Sequence, residues 1–365
     1  MKSTQFCPDR MAEIKRFIDS STDTAVVGMP GVGIATFLIE LSKQPYGLMI
    51  FIDAHVLPRH TTDDLARALL HKLGQDTGEM SPDAVIRAVI ARLQDACQQH
   101  ERIVISIGGF DQLQNEFNKD FFHTLITFKG VDRQKIVFLF GVCRRLDSLI
   151  SDKMIDTDLH FFSSVYYLKP YAPPDLRHLL PIYASAATLE HPRLNELIAY
   201  SGGNFQFLRL LLASQRQDNP ASDPLIKLAF SNIYNSLDGR QKVLIKQIAQ
   251  NGSSDKSDEF LLGIGLIVED ENRYRMFSPL FADCVRAYTQ PRLPAKEQKL
   301  FRLLKKNAGS IVYKNEIMDA LWPDGSGSEW ALNALVYRLR RHPAFQAQNY
   351  SIENAKKLGY VLTKN

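Results

Sequence analysis

Residues Gly28 to Thr36 read GMPGVGIAT, which keeps the outline of a phosphate-binding loop and lacks its chemistry. In the working pattern, G-x-x-x-x-G-K-[ST], backbone N–H groups cradle the phosphates, Lys reaches the β- and γ-phosphates and the hydroxyl holds Mg²⁺. Gly28 and Gly33 retain the frame, while Ile34 and Ala35 stand at the two chemical positions. Hydrolysis also needs an acidic partner at the tip of a neighbouring strand, an Asp for the metal and commonly a Glu after it for water. The strand in question ends IVISIGGFDQL, so Gly108 and Gly109 stand where Asp-Glu is expected and Asp111 lies two residues beyond. With both elements gone, no catalytic residue is assigned and hydrolysis is not expected. Loop amides and a helix N-terminus can still hold phosphate. ATP or ADP bound without Mg-dependent hydrolysis therefore stays open, through Gly28, Gly31, Gly33 and Thr36. The plainer alternative is an inherited fold with an empty site.

Other chemistries find little support. The nine His show neither H-E-x-x-H nor paired spacing, so no metal site is expected. Cys7, Cys97, Cys143 and Cys284 lie far apart without a C-x-x-C pair, which argues against a disulfide framework or zinc and fits a reducing compartment. There is no G-x-S-x-G elbow, and GVGIAT lacks the third glycine of a dinucleotide fingerprint. The charged N-terminus has no apolar signal region, and no stretch approaches the roughly 18 apolar residues of a membrane span. The expectation is a cytoplasmic protein with no membrane partner.

The elements needed to position the loop are legible. A helix at Asp9 to Ile18 precedes a strand within Thr22 to Gly28, the glycine loop and the helical stretch TFLIELSK. Strands follow at Leu48 to Asp53, Arg102 to Ile107 and Lys135 to Val142, the last two as continuous apolar runs suited to a parallel sheet covered on both faces. Between them lie the amphipathic helices TTDDLARALLHKLG and SPDAVIRAVIARLQDACQQ, each opened by hydroxyl capping residues and early acids. This alternation predicts a doubly wound parallel-sheet α/β domain over 1–170. A helical lid is expected over 171–221, a winged helix of three helices and a hairpin over 222–290, and a second winged helix over 291–365. The 365 residues, 45% of them hydrophobic, suffice for cores in two or three domains.

Net charge is +4, but 13 of the 44 Lys/Arg and 6 of the 40 Asp/Glu lie from Arg292 onward, a balance of +7 against −3 for the rest. That asymmetry points to an anionic partner for the C-terminal end.

The glycine loop, the strands, GVCRRL (Gly141 to Leu146) and SGGNFQFLRLLL together resemble the AAA-like signal-transduction ATPases with numerous domains and the related archaeal ATPases. Such families place a sensor arginine after a strand and a GG-x-P lid motif before another. The resemblance implies that Arg144 and Arg209 face a γ-phosphate. Phe205 replaces the lid proline, and the Lys, Ser/Thr, Asp and Glu are absent, so the resemblance carries the fold and not the catalysis.

From Leu293 the chain resembles the OmpR/PhoB-type winged helix, including a closing glycine-tyrosine hairpin at Gly359-Tyr360. Leu300, Leu303 and Leu304 mark one face of a first helix, Ile317, Ala320 and Leu321 of a second, and Leu332, Leu335, Val336 and Leu339 of a third. The opposite face of the third helix carries Asn333, Tyr337, Arg338 and Arg341, types that bond base edges or phosphates when such a helix enters the major groove. Lys356 and Lys357 fall in the expected wing, where lysines neutralise phosphates. Little room remains before Leu293 for the family's strand platform, and Glu329 and Trp330 open the recognition helix.

The reading is a DNA-binding regulator whose degenerate ATPase-like domain senses or docks a partner and supplies paired half-sites by self-association. One alternative is a non-catalytic adaptor in an antiphage defence or transposition complex, with the winged helices docking proteins. Another is an unconventional ATP-binding switch.

Overall fold

The computed structural model describes residues 6–149, 159–183, 193–214, 219–289, 293–346, 348–355 and 358–364. The chain divides into two compact units, Met1–Arg286 and Ala287–Asn365.

In the first unit, β1 (Thr24–Val27), β2 (Leu48–Asp53), β3 (Ile103–Gly108), β4 (Ile136–Val142) and β5 (Ser164–Tyr167) form one sheet in the order β2-β3-β4-β1-β5, every pair parallel. Parallel neighbours require crossovers, supplied by α2 (Ile34–Ser42), α3 (Thr62–Lys72), α4 (Pro82–Gln99) and α5 (Lys119–Gly130), while α1 (Pro8–Asp19) precedes β1. β3 and β4 are buried at every residue, which is why they read as unbroken apolar runs. β5 escaped the sequence reading because it is an edge strand whose residues Val165 and Tyr167 face outward, leaving no continuous apolar signal. α3 starts with a capping box in which Thr61 and Asp64 satisfy each other's backbone N–H. α4 starts on Pro82 and buries Val85, Val89, Leu93 and Ala96, one stripe at helical spacing.

Asp23, just before β1, is nearly buried and ties three segments together. Its Oδ1 accepts from Lys129 Nζ at 2.8 Å and from the Phe138 N–H at 2.8 Å, while Lys129 also donates to the carbonyls of Ser21 and Ile136. Burial, opposed by Lys129, raises the Asp23 carboxyl above its ordinary value. Lys129→Ala leaves that carboxylate buried without its cation and should cost about 3–5 kcal/mol, read as a lower midpoint in denaturant unfolding.

β1 runs straight into the glycine loop and α2. Gly33 caps α2 at φ +103°, a left-handed conformation that side chains strain to adopt, so the second frame glycine is required by backbone geometry alone. The turn Phe110–Glu116 after β3 is anchored by Phe110, which packs on Phe140 at 4.5 Å and on Phe117 and Phe121. That anchoring draws Asp111 inward.

Beyond the sheet come α6 (Pro173–Tyr183), α7 (Leu194–Ser201) and α8 (Phe205–Ala213). Then α9 (Pro224–Asn235), α10 (Gly239–Asn251), α11 (Glu259–Gly263), the antiparallel hairpin of β6 (Ile267–Asp270) and β7 (Arg273–Met276), and α12 (Pro279–Thr289) follow in winged-helix order. Glu271 and Asn272, both at positive φ, make the two-residue hairpin turn. These helices share one hydrophobic core with the sheet.

The second unit has its own core. It contains α13 (Ala295–Lys306), β8 (Val312–Tyr313), α14 (Lys314–Leu321), α15 (Glu329–Arg341), β9 (Tyr350–Ala355) and β10 (Gly359–Lys364), with an antiparallel sheet in the order β8-β10-β9. Leu300, Leu304, Ile317, Leu321, Leu332, Leu335, Val336 and Leu339 are buried, as their spacing predicts, whereas Leu303 packs at the margin and Ala320 is half-buried. Among the described residues no strand lies between α12 and α13.

Candidate functional site

Ser328 starts α15, its hydroxyl accepting from the Ala331 N–H at 3.1 Å. The apolar stripe faces the core, so Trp330, Asn333, Tyr337 and Arg341 come out on one exposed face at helical spacing. Trp330 is 80% exposed and Tyr337 57%, so this face carries two exposed aromatic rings. The Arg341 guanidinium lies 5.0 Å over the Tyr337 ring and donates to its hydroxyl. Asn333 is oriented from the sheet, its Oδ1 accepting from the Tyr360 hydroxyl at 2.5 Å.

Arg338 is exposed as well and also reaches back to a neighbouring helix. Its Nε donates to Glu297 Oε1 at 2.9 Å, and Glu297 is buried in α13, so this arginine fastens two helices together. Arg340, which sequence spacing did not single out, does the same toward β9 through the Ile352 carbonyl at 2.8 Å and Asn354 Oδ1 at 2.9 Å. Lys314 pairs with Glu329 at 2.8 Å, offsetting the acid at the start of α15. Lys356 and Lys357 lie outside the described residues. Asn333, Tyr337 and Arg341 thus form one surface that can offer amide, hydroxyl and guanidinium groups to base edges and phosphates.

The glycine loop is arranged differently. Ile34, at the lysine position, is buried, and its side chain packs into the spaces left by Gly28 and Gly141. The Ala35 Cβ is 3.7 Å from where a Cβ on Gly108 would sit, so the two lost Mg-holding positions adjoin each other. A Cβ on Gly109 would overlap the His55 ring, which therefore occupies the space an acidic side chain there would enter. His55 Nδ1 is 2.9 Å from Asp53 Oδ1, at the tip of β2.

The helical segment closes over the loop carbonyls. The Gln206 N–H donates to Gly31 O at 3.0 Å, Asn204 Nδ2 to Pro30 O at 3.3 Å, and the Tyr171 hydroxyl to Gly33 O at 3.1 Å. Gly31, Gly33, Thr36 and Arg209 line one cavity of about 300 Å³, and Arg209 sits 6.0 Å from the Phe205 ring. Gly28 is buried beneath them, its N–H donating to Val142 O. Arg144 lines a neighbouring cavity and donates to Gln114 Oε1 at 3.0 Å. Among the described residues, Arg144 bonds a neutral amide and Arg209 lies by an aromatic ring, and neither is in an ion pair. His55, Asp53 and Gln206 were missed in the sequence because no motif carries them; only the sheet order brings β2 beside β3.

Restoring the loop's two chemical residues with Ile34→Lys and Ala35→Thr should leave Mg-ATP hydrolysis at background in a phosphate-release assay. Gly108 still offers no metal ligand, and His55 still fills the adjacent space.

Among the described residues no group of three His, Cys, Asp or Glu is placed to hold a metal ion, and no helix is long and apolar enough to cross a membrane. Residues 289–362 match the family described as transcriptional regulatory protein, C terminal. Over 76 residues the chain is 32% identical to the transcriptional regulator HilA of Salmonella typhimurium, a match spanning 21% of this chain and 14% of that regulator. A Walker-type ATPase of Pyrococcus abyssi superposes with a TM-score of 0.51 at 14% identity, covering 78% of this chain and 97% of that one. The ORC2 protein of Aeropyrum pernix in its ADP form aligns more loosely, at a TM-score of 0.46 and 12% identity over 77% of this chain and 93% of that one. The first unit has the fold of a P-loop ATPase, and the second is a winged helix of the OmpR/PhoB type.

Proposed function

We propose, with an OmpR/PhoB-type winged helix at the C-terminus as the premise, that this protein is a cytoplasmic regulator that binds duplex DNA through α15. The observation that carries this is the exposed face on which Asn333, Tyr337 and Arg341 stand together while the opposite face fills the core. In this reading Arg341 contacts phosphate, Asn333 and Tyr337 reach base edges, and Lys356 and Lys357 follow the backbone from the wing. Arg338 acts from behind, holding α15 on α13.

The α/β domain, with its lid and first winged helix, is a pseudo-ATPase that senses or docks a partner and self-associates to present paired half-sites. Its support is the loss of the Mg-holding positions on both sides of one contact, Ala35 and Gly108, together with His55 in the adjacent space. The domain division 1–170, 171–221, 222–290 and 291–365 belongs to the same proposal. The test is titration of the full chain against duplex DNA at several salt concentrations, with nucleotide content measured on the same preparation. A falling affinity with rising salt is expected. No salt-dependent affinity for any duplex would sink the reading.

Trp330 favours a second reading, in which α15 docks a protein as part of a non-catalytic assembly. A stable co-purifying protein and no DNA binding would select it. ATP or ADP retained through purification would instead select a nucleotide-binding switch.

A further inference from the structure

Beside the glycine loop lies a second cavity of about 660 Å³, within the range of small-molecule sites. Its walls come from Pro30 and Gly31 of the glycine loop itself, His55 after β2, the turn after β3, the segment after β4, the start of α8 and the end of α9. Asp111 lines it, is 7% exposed, and its Oδ1 has no hydrogen-bond partner among the described residues. A buried acceptor left in this way costs free energy until a donor reaches it. Burial raises the Asp111 carboxyl above its ordinary value, opposed by its own backbone N–H, the charge of Arg144, the Cys143 backbone N–H and His55.

The remaining lining defines what the donor belongs to. Gln206, Asn232 and Asn235 bring amides that both donate and accept, and Arg144 adds a guanidinium. Asp111 offsets Arg144, so the walls lack the concentrated positive charge a triphosphate needs. Among the described residues His55 is the one aromatic ring in the lining, and it is held through Nδ1 by Asp53, so there is no broad stacking platform for a base. The matching ligand hydrogen-bonds in both senses at closely spaced atoms. Adjacent hydroxyls do this, since each O–H donates once and accepts twice, and a pair of them can donate to one carboxylate.

We propose that this cavity binds the vicinal hydroxyls of a small sugar-class ligand, either a free sugar or the ribose of a nucleoside, with Asp111 accepting from the hydroxyl pair. The site deepens the sensing role given above to the α/β domain and rests on that reading. Asp111 is the central recognition group, and Asn232 and Asn235 close the cavity from α9.

The test is calorimetric titration of the full chain with D-ribose, D-glucose, glucose 6-phosphate and adenosine. At least one is expected to bind; adenosine alone identifies a nucleoside, and ribose or glucose a free sugar. Asp111→Asn and the deoxy analogue of the bound probe should each weaken binding about tenfold, as for one charge-assisted hydrogen bond. Asn235→Ala, at an exposed position, should weaken it about fivefold without disturbing the core, which keeps the test decisive if Asp111→Asn folds poorly. The proposal is overturned if none of the four probes binds, or if the deoxy analogue and both variants bind unchanged. Titrating the same preparation with duplex DNA separates the two readings: DNA binding with no sugar-class binding overturns only this one, and the reverse overturns only the DNA-binding reading.

Discussion

Arg341→Glu should weaken duplex binding by the full chain about 100-fold at moderate salt, because it removes the proposed phosphate contact and places a like charge against the backbone. The effect is large because the wild-type side chain is already positioned. Its guanidinium rests 5.0 Å over the Tyr337 ring and bonds the Tyr337 hydroxyl, so little rotamer freedom remains to be lost on binding. Fluorescence anisotropy over a salt series should show a slope smaller by about one released counterion. Asn333→Ala should cost about 1–3 kcal/mol and relax preference at one base pair without changing the salt slope. Arg338→Ala should behave differently from both, lowering the melting temperature by stranding the buried Glu297 carboxylate. Unchanged affinity in Arg341→Glu would remove α15 as the DNA-reading element.

Gly359→Ala should destabilise the C-terminal winged helix by about 3 kcal/mol, the scale of forced overpacking. A Cβ at this position would overlap the Val312 carbonyl, a backbone atom with no flexible side chain to move aside. β8 joins β10 through two residue pairs, Gly359 with Tyr313 and Tyr360 with Val312, so the strain has no length of strand over which to spread. Tyr360 is displaced with it, and its hydroxyl orients Asn333 on the recognition helix. Thermal unfolding of the full chain should show an earlier transition for the second unit with the first retained, since the two have separate hydrophobic cores. DNA affinity should fall in the same variant. A melting profile matching wild type would show that the hairpin accommodates the methyl group.

The central strands, the amphipathic helices and both helix-hairpin patterns were legible because each writes a local periodicity into the chain. β3 and β4 are apolar without interruption since both their faces are covered, and α4 repeats its apolar residues once per turn. β5 was not legible, because a half-exposed edge strand of four residues leaves neither pattern. Of the recognition face, exposure of Asn333, Tyr337, Arg338 and Arg341 followed from helical spacing. Spacing could not say which of them are engaged within the protein. Arg338 is spoken for by Glu297, 41 residues earlier, and Arg340 by the strand β9.

By itself the sequence determined that the loop at Gly28 carries neither the lysine nor the hydroxyl of the working pattern at Ile34 and Ala35, that Gly108 and Gly109 stand at the strand tip, and that the C-terminal segment would fold as a winged helix. Those are properties of residue identity and local pattern. Only the tertiary structure decided what took the vacated places. The parallel order β2-β3-β4-β1-β5 sets Asp53 and His55 beside Gly109, while α2 leaving β1 sets Ala35 against Gly108. Packing of Phe110 on Phe140 then turns Asp111 into a buried carboxyl at the wall of a cavity. Each of these contacts joins residues far apart in the chain, and their positions are set by sheet order and core packing, which no local spacing encodes.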